Sequence, residues 1–136
     1  MYALCEAYYQ TLAGVVEATD ADIIGHFDII TKFNEGGALF EEANERYVRA
    51  WQLCADTLLE SGALFEINTG AIARGYRTAA YPAPAIMAYL KERGARFILS
   101  GDAHSTEGIG FRFEDYENAL ENDTALFEPK RKREER

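Results

Sequence analysis

Residues 97–105 read Phe97-Ile98-Leu99-Ser100-Gly101-Asp102-Ala103-His104-Ser105, an apolar run that leads into a turn of small and polar residues. The run predicts a short buried strand, and residues two apart in an extended segment point to the same side. We therefore expect Asp102 and His104 to aim into one pocket. A carboxylate oxygen and an imidazole nitrogen suit a divalent metal ion. The alternative is a turn with a surface Asp and a surface His.

Outward from this stretch, strands alternate with helices along the chain. Apolar spacing and turn residues predict helices over 2–18, 39–61, 83–93 and 112–122, and short strands at 23–24, 66–68 and 96–99. Strands separated by helices are typical of a parallel sheet with right-handed crossovers. The sequence therefore predicts an α/β fold with parallel strands.

Each predicted strand ends in residues that can bind a ligand: Gly25-His26, Glu66-Ile67-Asn68 and the Asp102/His104 turn. Ligands of parallel α/β folds bind beyond the carboxyl ends of the strands, so the three ends predict a metal site. His26 is a candidate ligand, or a turn residue that only caps its strand. Glu66 is expected to orient a ligand from behind, although direct ligation or a hydrogen bond to loop backbone stays open. Asn68 is expected to stabilise its own loop.

Basic residues near the same edge are candidates for binding an anion. Arg74 and Arg77 lie in a glycine-containing loop after the second strand, and Lys32 follows the first. A guanidinium group binds phosphate through two parallel hydrogen bonds. The alternative for both arginines is an ordinary position on the surface.

Composition limits the classes of function. The chain has 136 residues and a net charge of −9, which argues against nucleic acid and anionic membranes as partners. No run of apolar residues is long enough for a membrane span, and we recognise no signal peptide, so we expect a cytoplasmic protein. Cys5 and Cys54 lack the spacing of a zinc or redox motif. They are interpreted as buried free thiols, with a disulfide left open.

Three blocks of the chain carry a family resemblance: Asp22 to Asn34, then Phe65 to Gly70 with Arg74-Gly75 and Tyr81-Pro82, and last Ser100 to Ser105 with Gly108 and Gly110-Phe111. In this order and spacing they resemble histidinol-phosphatases of the polymerase-and-histidinol-phosphatase (PHP) superfamily. The resemblance covers nearly the whole chain.

The resemblance implies a distorted seven-stranded β/α barrel that binds up to three divalent ions (zinc, manganese or iron). It also implies hydrolysis of histidinol phosphate to histidinol and phosphate in histidine biosynthesis. Its metal ligands would be His26, Asp102 and His104, and the last two would be catalytic. Arg74 and Lys32 would bind the substrate phosphate, while Glu66 and Asn68 would orient the ligands.

One family motif is missing. Members begin with a His-x-His motif, whereas this chain contains only two histidines. We therefore expect residues 1–127 to be the carboxyl-terminal part of such an enzyme, about the last three βα units of the barrel, followed by a charged tail over 128–136. Its partners would be the missing amino-terminal half or a second copy. The alternative is a non-catalytic α/β module that binds metal or a partner.

Overall fold

The computed structural model describes residues 1–120 and contains a three-stranded sheet with helices. The helices are α1 (Tyr2–Ala13), α2 (Val15–Thr19), α3 (Glu45–Glu60), α4 (Gly70–Ala73) and α5 (Pro84–Glu92), and the strands are β1 (Ile23–Ile24), β2 (Leu64–Asn68) and β3 (Phe97–Ser100). β2 pairs in parallel with β1 on one side and with β3 on the other. The predicted α/β class and parallel strands are confirmed. Their closure into part of a barrel stays a prediction.

The central strand β2 forms the middle of the core. Leu64, Phe65 and Ile67 are all buried although neighbouring side chains point to opposite faces of the sheet, and Glu66 is half-buried. A strand covered on both sides is expected to be apolar almost throughout. The parallel register places the carboxyl ends of β2 and β3 side by side, with Asn68 opposite Ser100. The loops that carry the candidate site residues therefore begin at the same edge.

Helix α3 packs against α1 through its apolar face. Tyr47, Trp51, Cys54 and Leu58 are buried at the spacing of one helix face. The hydroxyl groups of Tyr9 in α1 and Tyr47 share a hydrogen bond of 3.1 Å, which pairs two polar groups inside the core. The buried residues of both helices belong to the same core cluster as those of the strands.

The predicted helix over 2–18 is in fact two helices. The break lies at Gly14, which joins α1 to α2. Glycine inside a helix costs about 1 kcal/mol relative to alanine, so the break falls where the helix is weakest. Asp20, with φ of 54°, ends α2 one residue after Thr19.

Helix α3 begins later than predicted, at Glu45 and not at residue 39. The buried side chain of Asn34 holds the preceding segment as a loop. Its Oδ1 accepts hydrogen bonds from the N–H groups of Leu39 (2.8 Å) and Phe40 (2.9 Å). Asn44 then caps the helix, accepting a 3.0 Å hydrogen bond from the N–H of Arg46.

The helix predicted over 112–122 is wrong in the described part. The chain there forms two 3₁₀ turns, Phe113–Asp115 and Glu117–Leu120. Arg112 has φ of 54°, a left-handed conformation that a continuous α-helix excludes. Residues 121–122 and the predicted tail over 128–136 lie outside the described residues.

Two sequence expectations concern the chain as a whole. Among residues 1–120, none of the helices combines the length and apolar character needed to cross a membrane. Cys5 and Cys54 are both buried and free, which confirms their interpretation as thiols. Burial raises the pKa of Cys54 to about 12.

Candidate active site at the carboxyl edge of the sheet

The loops after β2 and β3 meet through Arg74. Its Nη1 donates to the backbone oxygen of Asp102 (2.8 Å), and its Nη2 donates to Asp102 Oδ2 (3.3 Å). The same Nη1 lies 2.9 Å from Nδ1 of His104. Two predicted metal ligands and one predicted phosphate-binding residue therefore form one exposed group, here named the rim cluster (Arg74, Asp102 and His104).

The proton of His104 has two alternative positions within the rim cluster. Nδ1 lies 2.7 Å from the backbone oxygen of Asp102 as well as near Arg74. Because arginine only donates, Nδ1 accepts from Arg74 when unprotonated and donates to Asp102 when protonated. The protonated Nδ1 leaves a lone pair on Nε2, which is the usual arrangement of a metal-binding histidine.

A small pocket opens beside the rim cluster. It measures about 110 Å³ and is lined by Arg74, His104, Ser105, Glu107 and Phe111, among others. This volume is well below the roughly 300–1,000 Å³ of sites that enclose a drug-sized ligand. Hydrogen bonds, first from its own backbone N–H and then from Ser105, hold the pKa of Glu107 below its usual value. The pocket therefore suits a compact polar group and combines charges of both signs.

Two glycines allow the loops to approach this closely. A Cβ at Gly70 would lie 2.7 Å from the backbone oxygen of Gly101 and 2.9 Å from Arg74 Nη2. A Cβ at Gly101 would lie 2.7 Å from the backbone oxygen of Gly108. The single turn of α4, which falls inside the glycine-containing loop predicted after the second strand, places Arg74 at this edge.

His26 and Glu66 meet at the ends of β1 and β2. The backbone N–H of His26 donates to Glu66 Oε2 at 2.6 Å, so Glu66 stabilises the turn that contains this histidine. Asn68 donates to the same carboxylate oxygen (3.2 Å) and accepts from the N–H of Gly70 (2.9 Å). Asn68 therefore stabilises its own loop, and the predicted role of His26 as a ligand stays a prediction.

Lys32 is brought to the loop that carries Arg74. Its ammonium group lies 4.5 Å from the ring centre of Tyr76 and 5.2 Å from that of Phe33. Tyr76 follows Arg74 by two residues in the same loop. The loop of Lys32 therefore contacts the loop of Arg74, and the two predicted phosphate-binding residues lie in adjacent loops.

Arg77 takes neither position that the sequence offered. It is only 9 % exposed and donates to the backbone oxygen of Thr31 at 3.0 Å as well as to the Thr31 hydroxyl. Glu35 and Glu42 lie 3.6 and 3.8 Å from its guanidinium. Arg77 therefore ties the loop after β1 to the loop after β2. No sequence pattern distinguishes it from Arg74.

Asp28 is a buried acid that sequence reasoning missed. Its Oδ2 accepts a 3.0 Å hydrogen bond from the N–H of Ala83, which joins the loop after β1 to the start of α5. Burial raises its pKa to about 6, opposed by that hydrogen bond and by Arg77. The apolar neighbours Phe27 and Ile29 were a signal that this acid is buried.

The residues present fit a metal site in part. Asp102 and His104, two positions apart, offer an oxygen and a nitrogen, the donor types of zinc sites. Within the described part of the chain, however, no three His, Cys, Asp or Glu side chains are close enough together to hold an ion. His26, Asp102 and His104 therefore do not form a three-ligand site by themselves.

Comparisons with known proteins agree with the resemblance. No family model matches the chain. A protein of Schizosaccharomyces pombe named "Probable histidinol-phosphatase" is 30% identical over 109 residues, which are 78% of this chain and 35% of that protein. A protein of Deinococcus radiodurans with the same name is 34% identical over 112 residues, 79% of this chain and 38% of that protein.

A solved structure shares the fold. The crystal structure of the "putative histidinol phosphatase hisK" from Listeria monocytogenes superposes with a TM-score of 0.71 at 18% identity, covering 81% of this chain and 42% of that one. The chain thus spans between a third and two-fifths of the two relatives that it matches.

Proposed function

Because the predicted resemblance to histidinol-phosphatases is confirmed, we propose that this chain supplies part of the active site of a metal-dependent histidinol-phosphatase. The reaction is the hydrolysis of histidinol phosphate. Water adds its oxygen to phosphorus, the bond from phosphorus to the alcohol oxygen breaks, and a proton passes to histidinol. Since the chain spans only part of its relatives, we propose that it acts with a further segment that supplies the remaining ligands.

The rim cluster carries this proposal. Arg74, Asp102 and His104 come from two different loops and meet beside a pocket of about 110 Å³. A guanidinium group that faces a compact pocket suits a phosphate group. The acid and the imidazole beside it are donors for a cation that neutralises the charge of phosphate.

The proposed metal is zinc, manganese or iron, held by Asp102, His104 and His26 together with ligands from the further segment. A divalent ion at a phosphate ester acts as a Lewis acid and stabilises the charge of the transition state. In this chain the Nδ1 proton of His104, donated to the backbone oxygen of Asp102, would leave the lone pair of Nε2 free to bind the ion.

Arg74 and Lys32 would bind the phosphate oxygens. Arg74 is exposed and is held by Asp102 over 3.3 Å, so a phosphate can replace that weak exposed contact. Both cations also offset the charge of −9 that the chain carries. Without them, an acidic protein would repel its substrate.

One observation favours a second candidate, a non-catalytic module that acts by association. Within residues 1–120 the acid and histidine side chains form no three-ligand group. A chain that binds a partner but lacks an ion of its own would show the same arrangement. Activity after mixing with the complementary segment separates the two candidates.

The test is release of phosphate from histidinol phosphate with manganese or zinc. The purified chain is assayed alone and after mixing with a separately produced segment that carries the rest of the Deinococcus radiodurans relative. We expect turnover in the mixture, loss of that turnover in His104→Ala, and no loss in Gln10→Ala, an exposed change on α1. Circular dichroism verifies that the variants are folded.

Two results would contradict the proposal. One is the absence of turnover in every mixture of segments that associate, which would favour the non-catalytic module. The other is turnover that His104→Ala leaves unchanged, which would place the chemistry away from the rim cluster.

A further inference from the structure

A groove lies between helices α3 and α5, here named the α3–α5 groove. It measures about 490 Å³, within the roughly 300–1,000 Å³ of sites that enclose small organic ligands. Most of the side chains that line it are apolar or aromatic, and a few are polar, which is the usual composition of such a site. It shares no lining residue with the pocket at Arg74, so it is separate from the rim cluster.

Two alanines on α5 leave the space that forms the α3–α5 groove. Ala85, Ala88 and Tyr89 follow the spacing of one helix face, and all three line the groove. Val48 and Trp51, three residues apart on α3, line the opposite wall. Both alanines are exposed, because a methyl group is too short to fill the gap between the helices.

The aromatic wall of the groove is held in place by several contacts. Trp51 is only 5 % exposed, and its ring centre lies 5.0 Å from that of Tyr89 with the planes perpendicular. The Tyr89 hydroxyl donates a 2.9 Å hydrogen bond to Asp56, and the guanidinium of Arg93 lies 3.3 Å from the centre of its ring. A wall fixed in advance binds an apolar group with less loss of conformational entropy.

The charges around the groove are mainly negative. Within the described part of the chain, the charged residues that line it are Glu42 and Glu92, and neither Lys nor Arg is among them. Arg93, next to Glu92, lies 3.7 Å both from that acid and from Asp56. Arg77, near Glu42, also contacts a second glutamate at 3.6 Å. Since each arginine is outnumbered by acids, the groove favours a cation over an anion.

We propose that the α3–α5 groove binds a small organic cation, an amine carried on a hydrocarbon group. The hydrocarbon packs against Trp51 and Tyr89, which removes apolar surface from water. The ammonium group pairs with Glu92, whose contact with Arg93 is long and exposed. Glu42 is less available, because it already accepts a 3.0 Å hydrogen bond from Asn34.

The fluorescence of Trp51 reports on this groove directly, because Trp51 is the only tryptophan of the chain. The full chain is titrated with cyclohexylmethylamine at neutral pH and physiological ionic strength. We expect a saturable change with a midpoint on the order of 1 mM, as suits a ligand of this size. Neutral cyclohexylmethanol should bind about twofold to fivefold more weakly, the contribution of an exposed ion pair. Cyclohexanecarboxylate should bind more weakly still.

Two variants test the apolar wall and the charge separately. Ala85→Leu fills the groove and should weaken binding of the amine about tenfold, whereas Ala7→Leu, the same change at an exposed position of α1, should not. Glu92→Gln should remove the preference for the amine over the alcohol. Glu60→Gln, which changes the net charge equally at the end of α3, should keep it. All four positions are exposed, so the variants are expected to fold.

Four results would overturn the proposal. Equal amine affinity of Ala85→Leu and the wild type would place the ligand outside the groove, and equal affinity for the amine and the alcohol would exclude selection of a cation. Loss of amine binding in Arg74→Ala would place the amine at the rim cluster. A fluorescence change on dilution of the ligand-free chain, abolished by Ala85→Leu, would assign the groove to a second copy of the chain.

Discussion

At the scale of single residues, the site depends on one arginine that contacts two loops. Arg74 donates to Asp102 through both terminal nitrogens, once to the backbone and once to the carboxylate. The backbone contact fixes the turn after β3, while the exposed carboxylate contact is weak. Arg74 can therefore keep the turn in place and still exchange a carboxylate for a phosphate.

Gly70 makes this contact sterically possible, and its substitution is expected to disturb it. In Gly70→Ala, the new Cβ would lie 2.7 Å from the backbone oxygen of Gly101 and next to the guanidinium of Arg74. Such overpacking costs about 1–3 kcal/mol, because backbone cannot retreat as a flexible side chain does. Urea denaturation measures the loss in the free energy of unfolding.

Gly14→Ala is the matched control for that prediction. Gly14 has φ of −87°, and a Cβ there would make only an ordinary contact at 3.7 Å. Its stability should be unchanged or raised by up to about 1 kcal/mol, since alanine has less conformational freedom in the unfolded chain. Equal destabilisation by both substitutions would show that the close approach at Gly70 is unimportant.

The candidate site residues differ in how far the sequence revealed them. Asp102 and His104 were predicted to share a site on the premise of an extended segment, but β3 ends at Ser100 and Asp102 has φ of 44°. Their side chains come together through Arg74 instead. The contact with Arg74 could not be predicted, because it joins residues that are 28 positions apart. Arg77 was misjudged because burial depends on Thr31, Glu35 and Glu42, which no local pattern connects to it.

At the scale of elements, loops that carry the site are held by buried polar side chains. Asn34 closes the loop after β1 through hydrogen bonds to Leu39 and Phe40, and Asp28 attaches the same loop to α5. Local periodicity predicted the strands and α5 closely. It extended α3 too far, because the bonds of Asn34 override the helical propensity of residues 39–43.

The capping of α3 by Asn44 can be tested directly by substitution. Asn44 accepts a hydrogen bond from the N–H of Arg46, so Asn44→Ala leaves that N–H without a protein partner. We expect a loss of about 1 kcal/mol in the free energy of unfolding. Asn44→Asp should keep the stability, because a carboxylate also caps a helix. A loss in Asn44→Asp equal to that in Asn44→Ala would refute the capping role.

At the scale of the whole molecule, the sheet has edges that could receive a partner. Within residues 1–120, β1 and β3 each pair with β2 only, and unpaired strand edges favour association. The chain also spans between a third and two-fifths of the relatives that it matches. Both observations support the proposal that a further segment completes the site.

The two thiols report on the integrity of the core as a whole. Cys5 and Cys54 are buried, and burial raises the pKa of Cys54 to about 12, so at pH 8 almost none of it is thiolate. Because only thiolate reacts with a disulfide reagent, we expect both thiols to react slowly in the native chain and rapidly in urea. Fast reaction of both thiols without denaturant would contradict the packing of α1 against α3.

The affinity of the chain for inorganic phosphate in the presence of zinc, determined by calorimetry, tests whether the rim cluster is the phosphate site. The rim cluster predicts a loss of at least tenfold in Arg74→Ala, corresponding to about 1.4 kcal/mol. Arg49→Ala, which removes an exposed arginine of α3, should bind as the wild type does. Equal affinities of all three proteins for phosphate would contradict the assignment of this edge of the sheet as the site.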